Sequence, residues 1–337
     1  MFKSFFLARR WLLWSWPGAA LIFFGTWYQV EIDVAINDWF GGFYDVVQKA
    51  LGKPGEVTLD EFFGFLMTFG KLAGTYVLVA VLLSFFTKHW VFRWRDAMNG
   101  YYMAHWPTLR HIEGASQRVQ EDTKRFSAIM ESLGSNMMDS LMTLVAFLPI
   151  LWNLSKKVSE VPVLGQIDHA LVYVAILFAL AGTVVLALVG IKLPGLEFNN
   201  QRVEAAYRKE LVHAEDDGSR GSEPVVTELF SHVRSNYFRL FFHYMYFDVA
   251  KFSYLQFGVL VPYIALGPTV VAGAITLGVM QQIVRAFGRV EMSFQFLVRS
   301  WSTIVELISV YKRLRAFEAQ IGTAAGPQRI AGEGVKS

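Results

Sequence analysis

The chain has 337 residues, 54% of them hydrophobic and 15% aromatic, with charged side chains held to 18% and a formal net charge of +3. A soluble domain of this length has no need of repeated apolar runs of about 20 residues, so an integral membrane protein is expected. The small net charge gives no reason to expect nucleic acid as a partner, and zero cysteines exclude disulfides and thiolate metal sites.

Residues 1–10 and the apolar run from Trp11 have the outline of a signal peptide. The run is long, Trp-rich and without a small-residue cleavage site, so it reads as the first span, near 11–40. Further spans are predicted near 62–87, 132–155, 169–193 and 240–266, with a sixth over 271–310. The sixth is too long for one crossing at about 1.5 Å per residue, so its distal part is expected to project into water. Gly267-Pro268 is expected to break the chain before it. Polar, helix-like stretches separate spans two and three, and again spans four and five. With no internal repeat or linker, residues 1–318 read as a single transporter domain, and 319–337 as a disordered tail.

Charge sets the expected orientation. Lys3, Arg9 and Arg10 precede the first span, segments 88–125 and 192–239 each carry seven Lys or Arg, and five more follow residue 311. The opposite loops hold only Lys49, Lys53, Lys156 and Lys157. That asymmetry predicts cytoplasmic termini and cytoplasmic long loops. Trp11, Trp14, Trp16, Trp39, Trp90, Trp94 and Trp152 fall near span ends, as interfacial aromatics do. Six spans with short external and long internal helical loops resemble the transmembrane half of an ATP-binding-cassette exporter, which works as a dimer. No G-x-x-x-x-G-K-[ST] phosphate loop is present, and the chain runs to about twenty residues past Phe317-Glu318, where a nucleotide-binding domain would begin. The expectation is therefore a pore energised from elsewhere. No H-E-x-x-H or G-x-S-x-G pattern occurs, so neither an enzyme nor a metal or other cofactor is expected.

Several runs resemble the SbmA/BacA family of peptide-uptake transporters. They are Phe92-Arg93-Trp94-Arg95, Met98-Asn99-Gly100-Tyr101-Tyr102-Met103, Leu109-Arg110-His111-Ile112-Glu113-Gly114 and Gln117-Arg118-Val119-Gln120-Glu121-Asp122. To these add 190–198, 200–210, Tyr237-Phe238-Arg239-Leu240 and His243-Tyr244-Met245-Tyr246-Phe247, so the likeness covers roughly 11–318. A weaker likeness around Gln117-Arg118 and Glu121-Asp122 reaches the peroxisomal fatty-acyl half-transporters. The resemblance implies a homodimer in the bacterial inner membrane that imports peptides, antimicrobial peptides among them, on the proton gradient. Members carry a further hydrophobic segment before the part resembling Arg10-Trp11, and the sequence departs from that pattern.

Proton coupling requires a group whose proton affinity differs between two conformations, and carboxylates suit this because burial and hydration act on them in opposite directions. Cavity carboxylates also attract cationic peptides. Glu131, at the entry to the third span, is the sharpest candidate, since a charge at full membrane depth costs roughly 2.5–3.5 kcal/mol. A solvated helix-end glutamate fits the residues equally, and the resemblance favours a cavity role. Glu121, Glu204 and Glu215 match acidic positions in the family motifs and are expected to face the inner cavity. The alternative is surface pairing with Arg118, Arg202 or Arg208. Glu31 and Asp38 share a face two turns apart and, with Tyr44, are read as an outer vestibule or gate; a wet helix end is the plainer account. Asp248 and Lys251 are placed to neutralise each other, and Glu291 to pair with Arg289 or a neighbouring helix. Gly64, Gly70 and Gly74 would allow close helix approach or bending. Two rival readings remain at this stage: a transmembrane subunit served by a separate ATPase chain, and a non-transporting membrane scaffold.

Overall fold

The computed structural model describes residues 1–112, 114–158, 160–162, 165, 167–217 and 221–324, apart from the side chains at 201, 216, 297, 298 and 322–324. The order is α1 (Phe2–Phe6), α2 (Leu12–Gly52), α3 (Leu59–Ala104), α4 (Trp106–Leu109), α5 (Ala115–Gln117) and a π-helical turn (Arg118–Asp122) leading into α6 (Thr123–Ser155). Then come α7 (Ala170–Gly190), α8 (Leu193–Asp216), α9 (Glu223–Gly258), α10 (Val261–Val271), α11 (Leu277–Phe294), α12 (Phe296–Arg299) and α13 (Trp301–Ala324). No strand occurs among the described residues; Val161 and Gly165 form an isolated bridge.

Five stretches are long and apolar enough to cross a membrane: Leu12–Gly52, Leu59–Ala104, Ala115–Ser155, Ala170–Gly190 and Glu223–Val271. The protein is an all-α membrane protein, because an apolar bilayer leaves backbone groups no partner outside the helix itself. The helices start where the sequence caps them. Thr58 accepts the Glu61 N–H at 3.1 Å with Asp60 and Glu61 in the first turn of α3, and Thr276 accepts the Val279 N–H at 3.3 Å to open α11.

The stretch 271–310 is divided among α11, α12 and α13. α11 carries Gln282, Arg285, Arg289 and Glu291 and is not among the five apolar stretches, yet Ile283, Ala286, Phe287 and Val290 on its other face are almost wholly buried. It is an interior helix screened by α2, α6 and α7. Gly267-Pro268 does not break the chain: α10 continues through it to Val271, and the turn falls at Gly273 with φ +66°. Pro268 removes one helical hydrogen bond, but Ala265, Leu266 and Thr269 are buried around it, and that packing outweighs the loss. Residues 319–324 continue α13; the rest of the expected tail, 325–337, lies outside the described residues.

Two cores hold the bundle. At one end Phe5, Trp90, Trp94, Met98, Tyr102, Phe126, Leu314 and Phe317 bring α1, α3, α6 and α13 together. The other core gathers Phe147, Leu151, Leu171, Ala175, Leu266, Ile283 and Phe287 from α6, α7, α10 and α11. α8 packs chiefly on α9, around Leu193, Leu196 and Leu240.

Candidate functional site

The α2–α11 contact is built from polar residues at helical spacing. At one end Asp45 accepts the Gly278 N–H at 2.9 Å and Gln48 the Leu277 N–H at 2.8 Å, so α2 caps the start of α11. Gly41 and Gly278 touch with no room for a Cβ: one on Gly278 would collide with the Gly41 carbonyl and the Asp45 carboxylate. One turn along, Gln282 donates to Asp38 at 3.4 Å. Beyond lies Asn37, fully buried, with neither amide atom bonded.

Asp33 is the centre. It is 5% exposed and takes two guanidinium groups: Arg285 donates from Nη2, and Arg289 donates from Nη2 at 2.9 Å and sets its Nε 2.8 Å from the other carboxylate oxygen. Arg285 and Arg289 are four residues apart, so one helical face delivers both. Arg285 also stacks over Phe40, 5.0 Å from the ring centre, while its Nε is buried and unbonded.

Arg289 reaches past Asp33 to a cavity of about 270 Å³ between α6 and the α11–α13 stretch. Asn136, Asp139, Ser140 and Thr143 of α6 line one wall; Arg289, Ser293, Arg299 and Ser300 line the other. Behind it Gln295, 5% exposed, donates to Glu291 at 2.7 Å and to the Tyr254 hydroxyl, and Tyr254 donates to Glu291 at 3.1 Å. Arg299 Nη2 donates to the Gln295 amide oxygen at 3.0 Å. This polar system within an apolar bundle is the strongest candidate for chemistry, because ions at membrane depth are retained only where something offsets their cost.

The residues singled out from sequence are dispersed. Glu131 is half-buried on α6 and has no ion pair among the described residues; it lies on the face of Ser135 and Met138, about 80° around the helix from Asp139. Glu121 sits in the π-helical turn, held by Arg125 at 2.8 Å and Gln117 at 3.1 Å, so its partner is none of Arg118, Arg202 and Arg208. Arg125 reaches on to Glu306 at 3.5 Å. Glu204 and Glu215 are on α8, half-buried and exposed respectively, and neither lines the hollow between α8 and α9 formed by Arg202, His232 and Arg239. Glu31 is exposed, Asp38 meets Gln282, and Tyr44 stacks on Phe40 with 5.9 Å between ring centres. Asp248 and Lys251 stand 4.0 Å apart as expected, and of the two partners expected for Glu291 it is the neighbouring helix that supplies one: Tyr254 of α9 bonds it, with Gln295, leaving Arg289 to Asp33.

Sequence reasoning named Arg289 only as a partner for Glu291 and gave no role to Asp33, Asn37, Asp139, Arg285 or Arg299. The available signal was polar residues at i, i+4 inside apolar helices, Asp33/Asn37 on α2 and Arg285/Arg289 on α11.

The chain is 25% identical over 311 residues to the inner membrane ABC transporter ATP-binding protein YddA of Escherichia coli (strain K12), covering 86% of this chain and 54% of that protein. It is 24% identical over 333 residues to an uncharacterized ABC transporter ATP-binding protein of Synechocystis sp., covering 92% and 47%. Against ABC transporter D family member 2, chloroplastic, of Arabidopsis thaliana it is 23% identical over 243 residues, covering 67% and 33%. The chain thus spans about half the length, or less, of these curated relatives. The SbmA/BacA-like family model matches residues 8–322, nearly the whole chain, and this membrane protein belongs to that family.

Proposed function

We propose that the chain is a membrane transporter, one protomer of a homodimer that imports peptides across the bacterial inner membrane by alternating access, driven by protons. The carrying observation is the ion cluster of Asp33, Arg285 and Arg289, continuous with the Asp139 cavity inside apolar helices. Burying such ions costs several kcal/mol apiece unless paired, so a set arranged along the seam between two helices supports a role in transport. Asp33 is pinned by two cations and acts as fixed counter-charge. Asp139, with no ion pair among the described residues, is the carboxylate free to take a proton. A proton moving down the membrane potential supplies about 2.3 kcal/mol per 100 mV. Peptides as cargo, the homodimer and cytoplasmic termini follow from the family resemblance and the charge asymmetry. In this reading Glu131, Glu121, Glu204 and Glu215 line the inner path, and Glu31, Asp38 and Tyr44 the outer vestibule.

The test is uptake of a fluorescent cationic peptide into proteoliposomes under an imposed inward proton gradient, with wild type, Asp139→Asn and Glu131→Gln. Gradient-driven uptake lost in Asp139→Asn is the expected result. Loss confined to Glu131→Gln would move the proton site about two turns along α6. Wild-type uptake indifferent to the gradient would end the proton-driven reading. A second reading, the membrane part of an ATP-driven transporter, is favoured by the relatives being named ABC transporter ATP-binding proteins, and uptake that requires ATP and a nucleotide-binding partner would establish it.

A further inference from the structure

The cavity walls carry charges that are unequally satisfied. Arg289 spends Nε and Nη2 on Asp33, which leaves Nη1 without a partner among the described residues. Arg299 bonds only the neutral Gln295 amide oxygen and has no carboxylate in ion-pair range among the described residues. Gln295 is itself buried and locked by Tyr254 and Glu291, so the Arg299 guanidinium is held in place before any ligand arrives. The cavity lies where the chain breaks from α11 to α12 to α13, and interrupted helices are where membrane carriers place substrate groups. Ser300 and Asn136 add a hydroxyl and an amide around the two guanidinium groups, while the Ser293 hydroxyl donates to the Arg289 carbonyl at 2.9 Å.

We propose that this cavity is a carboxylate subsite that takes the C-terminal carboxylate of a peptide on Arg299 and Arg289, and that loading it is coupled to protonation of Asp139. The inference rests on the transporter reading above. At about 270 Å³ the cavity falls just under the range of roughly 300–1,000 Å³ that encloses a drug-sized molecule, so it fits the end of a peptide and not a whole one. A planar guanidinium with free N–H groups grips a carboxylate in two-pronged fashion.

Asp139 supplies the coupling. Ionised, it repels a second carboxylate in the same small space; protonated, it becomes a hydrogen-bond donor to it. The charged groups acting on Asp139 are Arg289 and Asp33 from α11 and α2, with Arg299 of α12 on the facing wall. α3, α7 and α13 bring no charged residue to the cavity lining among the described residues. Proton and carboxylate therefore bind with positive cooperativity, and by linkage each favours the other, the sign that co-import requires.

The experiment measures binding to the full chain in lipid nanodiscs, without any gradient. The probes are a tripeptide of alanine as free acid, its C-terminal amide, and an amide bearing one glutamate. At the acid end of a pH series, with Asp139 protonated and the peptide carboxylate still ionised, the free acid is expected to bind about tenfold more tightly than the amide, the scale of one charge-assisted bond. In wild type that preference shrinks as pH is raised through the titration of Asp139, and in Asp139→Asn it does not change with pH. Arg299→Gln abolishes it and Arg299→Lys restores part of it, which separates a charge role from misfolding. A glutamate amide binding like the free acid would overturn C-terminal recognition in favour of an acidic side chain. Equal affinities for acid and amide, no binding of either, or a preference surviving Arg299→Gln would overturn the subsite. Gradient-driven uptake measured alongside separates the two readings: uptake without acid preference removes only the subsite, and acid preference without uptake removes only the proton-driven importer.

Discussion

Arg289 holds Asp33 through a hydrogen bond from Nη2 to Oδ1 at 2.9 Å and an ion-pair contact of Nε with Oδ2 at 2.8 Å, joining α11 to α2. Arg285 occupies the same carboxylate from the next turn. Asp33→Ala would leave two guanidinium groups facing each other without their counter-ion. Breaking a buried pair in this way costs about 3–5 kcal/mol, and Arg289→Gln is expected to cost less because Arg285 still neutralises Asp33. Thermal unfolding of the detergent-solubilised variants ranks them; equal losses would mean that Arg285 contributes nothing.

Gly278 and Gly70 should respond in opposite directions to alanine. At Gly278 a Cβ meets the Gly41 carbonyl and Asp45, so overpacking is expected to cost about 1–3 kcal/mol and to loosen the α2–α11 seam. At Gly70, and likewise at Gly64 and Gly74, nothing lies within 4 Å of the added methyl. Gly70→Ala should be neutral or stabilise the protomer by about 0.5–1 kcal/mol through helix propensity. Unfolding midpoints of the two variants decide it.

Asp122 and Arg313 tie the π-helical turn before α6 to α13, through Nε to Oδ2 at 2.9 Å and Nη2 to Oδ1 at 2.7 Å. Arg313→Lys keeps the charge and loses the fork, and a loss of about 1–3 kcal/mol is expected. The hydrogen bond with Asp122, more than its charge, raises the Arg313 pKa above its ordinary value. A raised pKa gives stability that is fully present below the unfolded-state pKa and is lost only as pH climbs through the folded one. Both lie at the top of the alkaline range. Stability contributed by Arg313 should thus stay flat from neutral to moderately alkaline pH, and a wild-type minus Arg313→Gln difference that fell over that range would contradict it.

Tyr254 links α9 to the α11–α12 junction: its ring stacks on Phe178 with 4.7 Å between centres, and its hydroxyl joins Glu291 and Gln295. Tyr254→Phe preserves the stack and deletes the hydroxyl. A loss of about 1–2 kcal/mol is expected. If Gln295 positions Arg299, the same variant should also weaken the preference for a free-acid peptide while leaving the amide unaffected.

Much of the fold was legible from local sequence. The runs that became α2, α3, α6, α7 and α9–α10 stand out because an apolar stretch in a bilayer must satisfy its own backbone whatever its neighbours do. α11 was harder, since its charged residues lower its hydropathy. It is stable only because α2, α6 and α7 surround it. Its two arginines were visible as a four-residue pair, but nothing local says that Asp33, roughly 250 positions earlier, receives them.

The membrane class, the helical content and the family motifs from Phe92 to Phe247 were therefore set by sequence alone, because they depend on residues adjacent along the chain. That Asp33, Asp139 and Arg299 gather along one polar seam, while Glu31, Glu131 and Glu121 lie apart from it, was decided by tertiary structure. A carboxylate's burial and partners depend on which helix face meets which, and that is decided by packing between segments far apart in the chain.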